Sequence, residues 1–208
     1  ALVPLTKSGK LFNEVNVNGS RIAAEEAKKA GVSAFIHMSS SAIYGAVDRF
    51  PITEKTKTTP IEIYGSAKLA GEEAVLSVLS NTDVSTIIIR PRTILGQGRL
   101  GIFQILFEWV FQGRNVPVFD NGENLYQFIH IDDLSEACIL SAEKDSDSEY
   151  NVGAIDFCSM REILEALSEH AKTNSKVKSL PSSVIVPLMK FFAFIRLSPL
   201  SPYHALMY

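Results

Sequence analysis

This chain has little cysteine, no excess of charge and no long uninterrupted apolar run. Only two of its 208 residues are cysteine, Cys138 and Cys158, and both stand in segments that read as buried. That supports two reduced thiols in a cytoplasmic protein over a disulfide framework. The formal net charge of −3 gives no support to nucleic-acid binding or to a polybasic membrane patch. The opening residues carry no secretory signal. The most apolar stretch, Val184 to Ile195, is interrupted by Pro187 and Lys190 and is too short to span a bilayer. It is expected to be a packing or substrate-covering helix, with membrane contact peripheral at most. His37, His130, His170 and His204 are scattered, and without paired cysteines they predict no metal site. Repeats and low-complexity segments are absent too.

What is present is a globular pattern. A length of 208 residues with 46% hydrophobic content allows one substantial domain, or a domain with a small appendage. A helix is predicted from about Phe12 to Ala30, with apolar spacing at Val15, Ile22, Ala23 and Ala27. Ser33 to Met38 reads as a short buried strand, a second helix runs to about Leu79, and Val84 to Ile89 reads as another strand. Alternation of strand and helix implies parallel strands. Beyond Gly96 the pattern loosens into a Phe- and Trp-bearing helix over 102–111, short strands near Val116–Val118 and Phe128–His130, and helices after Asp133 and Met160.

The most informative residues are Tyr64 and Lys68. Four positions apart on a helix, they share one face. A free tyrosine, with a pKa of about 10, is a poor base at neutral pH, and a neighbouring ammonium favours its phenolate. Upstream, the first strand ends in Ser39-Ser40-Ser41-Ala42-Ile43-Tyr44-Gly45, which gathers hydroxyls at its carboxyl end, where open α/β sheets bind ligands.

Strand, serine loop and Tyr-x-x-x-Lys helix together resemble the extended short-chain dehydrogenase/reductase group, the NAD-dependent epimerase/dehydratase family. Further segments carry the same resemblance: Asn16-Val17-Asn18-Gly19-Ser20, Arg90-Pro91-Arg92-Thr93-Ile94-Leu95-Gly96, Gln127 to Leu134, and Tyr150-Asn151-Val152-Gly153. The fold it implies is α/β, a partial NAD(P)-binding Rossmann domain (a doubly wound parallel sheet) with a small α+β carboxyl-terminal lobe. Residues 1–95 would be the carboxyl-side part of the Rossmann domain. Residues 96–208 would be mainly a substrate lobe with late Rossmann elements.

The resemblance also assigns roles. Tyr64 is the expected general acid/base, Lys68 lowers its pKa and reaches the nicotinamide ribose, and Ser40 hydrogen-bonds the reacting oxygen, with Ser39 and Ser41 as alternatives. Ser39, Tyr64, Lys68, Pro91, Arg92 and Thr93 are expected around an NAD or NADP cofactor. Ser40, Ser41, Arg99 and Tyr126 are expected on the substrate side. Ser41 and Ala42 replace the acidic residues used in dehydration and decarboxylation, so epimerisation or alcohol/ketone oxidoreduction is expected. Many sugar-nucleotide members carry Asn where Thr93 stands and an arginine near Tyr126, so the substrate stays open between a nucleotide sugar and a hydrophobic, hydroxysteroid-like alcohol. A non-catalytic binding module is a third reading. His130 reads as a satisfied buried imidazole, Asp132 and Asp133 as caps of the helix they precede, and Asn16 as a residue that pins neighbouring backbone. A homodimer formed through the Asn16 and Tyr64 helices is what the resemblance implies.

The family's glycine-rich first turn has no counterpart. Ala1 to Thr6 look like the tail of the fourth strand, which predicts either part of a longer protein or a natural truncation that no longer binds dinucleotide. Gly96-Gln97-Gly98-Arg99-Leu100-Gly101 matches G-x-G-x-x-G literally, with Asp120 downstream. Arg90 to Leu95 separate it from its strand, however, whereas the true fingerprint leaves the strand directly.

Overall fold

A computed structural model describes residue 2 and residues 11–97, 102–144 and 146–183. In chain order, a π-helical turn (Asn13–Asn18) runs into α1 (Gly19–Ala30), followed by β1 (Ala34–Met38), a 3₁₀ turn (Ser41–Tyr44), α2 (Ile63–Leu79), β2 (Ser85–Pro91), β3 (Thr93–Leu95) and α3 (Ile102–Phe111). Then come β4 (Val116–Phe119), β5 (Leu125–Tyr126), β6 (Phe128–His130), α4 (Ile131–Ala142), β7 (Ser148–Val152), β8 (Cys158–Ser159), α5 (Met160–His170) and β9 (Val177–Leu180). The chain divides into two compact units, Ala1–Ile94 with Ile129–Gly153, and Leu95–Phe128 with Ala154–Tyr208.

The first unit holds a parallel sheet in the order β1-β2-β7. Ala34 lies opposite Ser85 and Met38 opposite Ile89, while Ile87 lies opposite Ser148 and Pro91 opposite Val152. The central strand β2 is buried along its whole length. This is why Ile87-Ile88-Ile89 is a continuous apolar run, since a parallel strand covered on both faces has no solvent side to alternate with. On one face Phe35 and Val84 pack with Ala24 of α1 and Val75 and Leu79 of α2. On the other, Ile87 and Ile89 pack with Ile129 and with Leu134 of α4. Each fully buried isoleucine contributes about 1.5–3 kcal/mol.

Two glycines set how closely α2 approaches its neighbours. A Cβ on Gly65 would lie 2.6 Å from the Ala42 carbonyl oxygen, and one on Gly71 would lie 2.5 Å from that of Asn16. Both distances are below any real carbon–oxygen contact, so only glycine lets the helix sit there. Asn16 is buried; its Oδ1 accepts from the Leu2 N–H at 2.8 Å and its Nδ2 donates to the Leu2 carbonyl at 3.1 Å. The amide thus satisfies both backbone groups of one residue, the pinning expected of it.

The second unit has its own core. Phe103 and Val110 of α3, Val116 and Val118 of β4, and Met160 and Leu164 of α5 form it. Strand β4 pairs parallel with β9, and β5 pairs antiparallel with β8. Helix α5 starts on a capping box in which Ser159 and Glu162 satisfy one another's backbone N–H groups.

Three expectations need correction. Cys138 is half-buried and Cys158 exposed. The apolar neighbours of Cys158, Ile155 and Phe157, are 95% and 61% exposed, so this segment lies on the surface in spite of its composition. His130 is exposed as well, because strand alternation turns Ile129 inward and His130 outward. Its Nδ1 accepts from the Asp132 N–H at 3.3 Å, making His130 itself the N-cap of α4. Asp132 and Asp133 lie in the first turn, where their charge favours the helix dipole without capping it. The apolar run 184–195 and residues 98–101 of the glycine-rich match lie outside the described residues.

Candidate active site

The carboxyl end of β1 delivers the serines. The Ser39 N–H donates to the Ile89 carbonyl at 2.7 Å, extending the ladder one residue, and its buried Oγ has no hydrogen-bond partner. Ser40 is extended, and its Oγ accepts from the Ala42 N–H at 3.2 Å, capping the 3₁₀ turn. The Ser41 Oγ accepts from Arg92 Nη1 at 3.2 Å. Ile43 and Tyr44, fully buried, anchor the turn from beneath.

Helix α2 brings the second half of the site. Its N-cap, Glu62, accepts from the N–H groups of Tyr64 and Gly65 at 2.9 Å each. A carboxylate there offsets both the unpaired amides and the dipole. Tyr64 is therefore fixed in the first turn, half-buried, with its ring edge-on to Phe12 at 6.4 Å. The close approach of Gly65 to Ala42 sets this first turn against the serine turn.

Lys68 follows one turn later and is only 3% exposed. Its ammonium donates to the Met38 carbonyl. Burial pushes its pKa down from 10.5 to about 8, and the Glu72 carboxylate partly offsets that fall. His37, two residues before Ser39, is buried too, and its Nε2 lacks a partner. Burial, aided by the Lys68 charge, takes its pKa from 6.5 to about 4, so the ring is neutral at physiological pH.

Beneath these groups lies a buried ion pair. Arg90 Nε donates to Glu72 Oε1 at 3.0 Å and Nη2 to Oε2 at 2.7 Å, a bidentate geometry. Arg90 Nη1 also reaches the Tyr44 hydroxyl at 3.1 Å and Glu149 Oε2 at 2.8 Å. The Tyr44 hydroxyl donates to Asn151 Oδ1 at 2.8 Å. Burial opposes the charge on Arg90, but its bonds to Glu72 and Tyr44 outweigh that and hold it above its ordinary value.

Ser39, Ser40, Ser41, Tyr64, Lys68, Pro91 and Arg92 thus all belong to the first unit, grouped around the carboxyl ends of β1 and β2. Pro91 is buried at the end of β2, and Thr93, half-buried, opens β3. Tyr126 belongs to the second unit, where its ring stacks on Phe128 at 6.1 Å and meets Phe103 edge-on at 5.4 Å. Arg99 lies outside the described residues. Among the described residues, no group of three or more His, Cys, Asp or Glu side chains could hold a metal ion, and no helix is long and apolar enough to cross a membrane.

A family model, the NAD dependent epimerase/dehydratase family, matches residues 6–153. The chain belongs to that family. Among its relatives is the uncharacterized protein y4nG of Sinorhizobium fredii, 44% identical over 208 residues, which are 100% of this chain and 52% of that protein. UDP-arabinose 4-epimerase 1 of Arabidopsis thaliana is 28% identical over 197 residues, covering 83% of this chain and 47% of its own. Among solved structures, MoeE5 in complex with UDP-glucose and NAD superposes with a TM-score of 0.74 at 26% identity, over 86% of this chain and 63% of that one. The chain spans about half the length of these curated relatives. The fold is accordingly a partial Rossmann-type α/β domain.

For this member of the epimerase/dehydratase family, sequence reasoning missed Glu72, Tyr44 and Arg90 as one group. A signal was available. Arg90 follows three isoleucines in a strand that must be covered on both faces, and a buried arginine there demands a carboxylate. Glu72, one turn beyond Lys68 on the same helix, was the carboxylate in reach.

Proposed function

We propose that this chain is the part of an NAD-dependent UDP-sugar 4-epimerase that carries the acid/base residues. The observation that carries the reading is Lys68: a buried ammonium one turn from Tyr64, held against the carboxyl end of the serine strand with its pKa near 8. An ammonium so placed favours the Tyr64 phenolate, the form that can take a proton from a sugar hydroxyl near neutral pH. Ser40 would hydrogen-bond the reacting oxygen, and the same Tyr64 would return the proton when the carbonyl is reduced. The cofactor, when bound, supplies a hydride acceptor and donor.

The residues present fit a dinucleotide's nicotinamide end. The buried Ser39 Oγ without a partner sits at the strand end where such a ligand binds, and Lys68, bonded to the carbonyl of the preceding residue, would be the cation for ribose hydroxyls. Pro91, Arg92 and Thr93 would border it. UDP-arabinose 4-epimerase and the UDP-glucose complex of MoeE5 support a nucleotide sugar as substrate. Ser41 and Ala42 offer no acid for elimination, which favours epimerisation over dehydration or decarboxylation. A substrate contact from Ser41, and a homodimer, complete the reading.

The test uses the full-length protein with NAD and UDP-hexoses or UDP-pentoses, the 4-epimers being separated by chromatography. Tyr64→Phe is expected to lower turnover at least about 100-fold while NAD binding and the melting temperature stay unchanged. Undiminished turnover in Tyr64→Phe would remove the mechanism. Steady reduction of NAD by a hydrophobic secondary alcohol, with no epimerised sugar, would instead make the protein a dehydrogenase.

A further inference from the structure

Glu72 is fully buried, and each of its oxygens is committed to Arg90. A buried pair of this kind is weak evidence for stability, because desolvation consumes much of the attraction. Its position suggests a different use. Glu72 stands one helical turn beyond Lys68 on the same face of α2, so its charge acts on the ammonium across the distance at which i and i+4 side chains meet.

We propose that Glu72 is a positioning residue of the Tyr64–Lys68 pair: it clamps Arg90 with both oxygens and supplies the negative charge that keeps the Lys68 ammonium protonated. The proposal rests on the function proposed above and deepens it. Five elements gather around this carboxylate and the arginine it holds. Lys68 approaches on α2 itself, Arg90 from β2, and Tyr44 from the serine turn through Arg90. Glu149 of β7 reaches Arg90 from the far side. His37 of β1 lies alongside, its Nε2 3.6 Å from where a Cβ of Gly71 would stand.

The balance of charge is what makes the arrangement work. Lys68 is surrounded by burial and a neutral imidazole, neither of which favours an ammonium. The Glu72 carboxylate, one helical turn away, opposes the fall that burial imposes on the Lys68 pKa. Arg90 needs the same carboxylate, and it is served in addition by Glu149, which is 42% exposed. Glu72 can therefore be neutralised while Arg90 retains an anionic partner. The same clamp also ties the serine turn to α2, because Arg90 Nη1 bonds the Tyr44 hydroxyl.

The experiment follows Lys68 directly in the full-length protein with lysine labelled at ¹³Cε, its signal assigned by its loss in Lys68→Met. In Glu72→Gln the Lys68 titration midpoint is expected to fall by about one to two pH units. That is the size expected of one charge about 6 Å away in a medium of effective dielectric about 20–40. The high-pH limb of kcat/KM for the UDP sugar should move down with it, because the ammonium is lost at lower pH. Glu73→Gln, the same charge change one residue on at an exposed site, should move neither. If Glu72→Gln fails to fold, the double variant Glu72→Met/Arg90→Met removes both buried charges and should still lower the midpoint, by less. An unchanged or raised midpoint in a folded variant overturns the proposal. A lowered midpoint in a protein that epimerises no UDP sugar sinks the proposed function and leaves the action of Glu72 on Lys68 standing.

Discussion

Replacing Lys68 with methionine should make the pH dependence of stability flatter, and the size of that change follows from burial. In the folded protein the Lys68 pKa falls from 10.5 to about 8. At about 1.4 kcal/mol per pKa unit, that is a penalty of about 3 kcal/mol on the charged form. The sign follows from proton uptake. Between pH 8 and 10.5 the unfolded chain keeps the lysine proton and the folded one has released it, so stability rises with pH through this window. Below pH 8 both states are protonated and the penalty is fully present. The methionine variant has no proton to lose. It gives up the hydrogen bond to the Met38 carbonyl, a cost of about 1–3 kcal/mol for a buried acceptor, but that cost does not change with pH. Urea melts of both full-length proteins between pH 7 and 10.5 should therefore show the wild type gaining about 3 kcal/mol on the variant, nearly all of it above pH 8. A difference that stays flat to within about 1 kcal/mol would refute burial as the cause and leave Lys68 an ordinary surface-like lysine.

His37 should show a related effect on the acid side. Its folded pKa of about 4 against 6.5 means stability is intact above pH 6.5 and is lost as pH falls toward 4, by about 3 kcal/mol. Melts of His37→Leu across that range should lack the loss, and an equal loss would assign it to other groups. Gly71→Ala should destabilise by about 1–3 kcal/mol, because its Cβ would stand 2.5 Å from the backbone oxygen of Asn16; a neutral result in urea melts would mean α2 can retreat.

The sequence was most readable where one periodic rule governed. The Phe- and Trp-bearing stretch was placed as a helix over 102–111, where α3 forms, and β1 came from a short apolar run followed by the helix that carries Tyr64 and Lys68. Tyr64 and Lys68 could be recognised together because a helix repeats every 3.6 residues, so spacing alone puts them on one face. The serines could be located because a strand's carboxyl end is where such sheets bind ligands. What stayed hidden depended on side-chain direction. His130 sits in an apolar stretch, yet strand alternation turns it outward and makes it a cap. Cys158 has apolar neighbours that prove to be surface residues. The Glu72–Arg90 clamp joins residues 18 positions apart, and no period within one element connects a helix to a strand. Only the demand that a buried charge be paired could have found it.

Every described residue of the Tyr64, Lys68 and serine group lies in the first unit, while the second buries a separate core of its own around Phe103, Val116 and Leu164. This separation has a consequence for how such a protein can change over evolutionary time. The second core includes none of Tyr64, Lys68, Glu72 and Arg90, so substitutions that refill it fall on other residues. Variation in one unit can then accumulate while the chemistry in the other stays under its own selection. The proposed acid/base residues could thus be carried unchanged through a lineage whose second unit diverges.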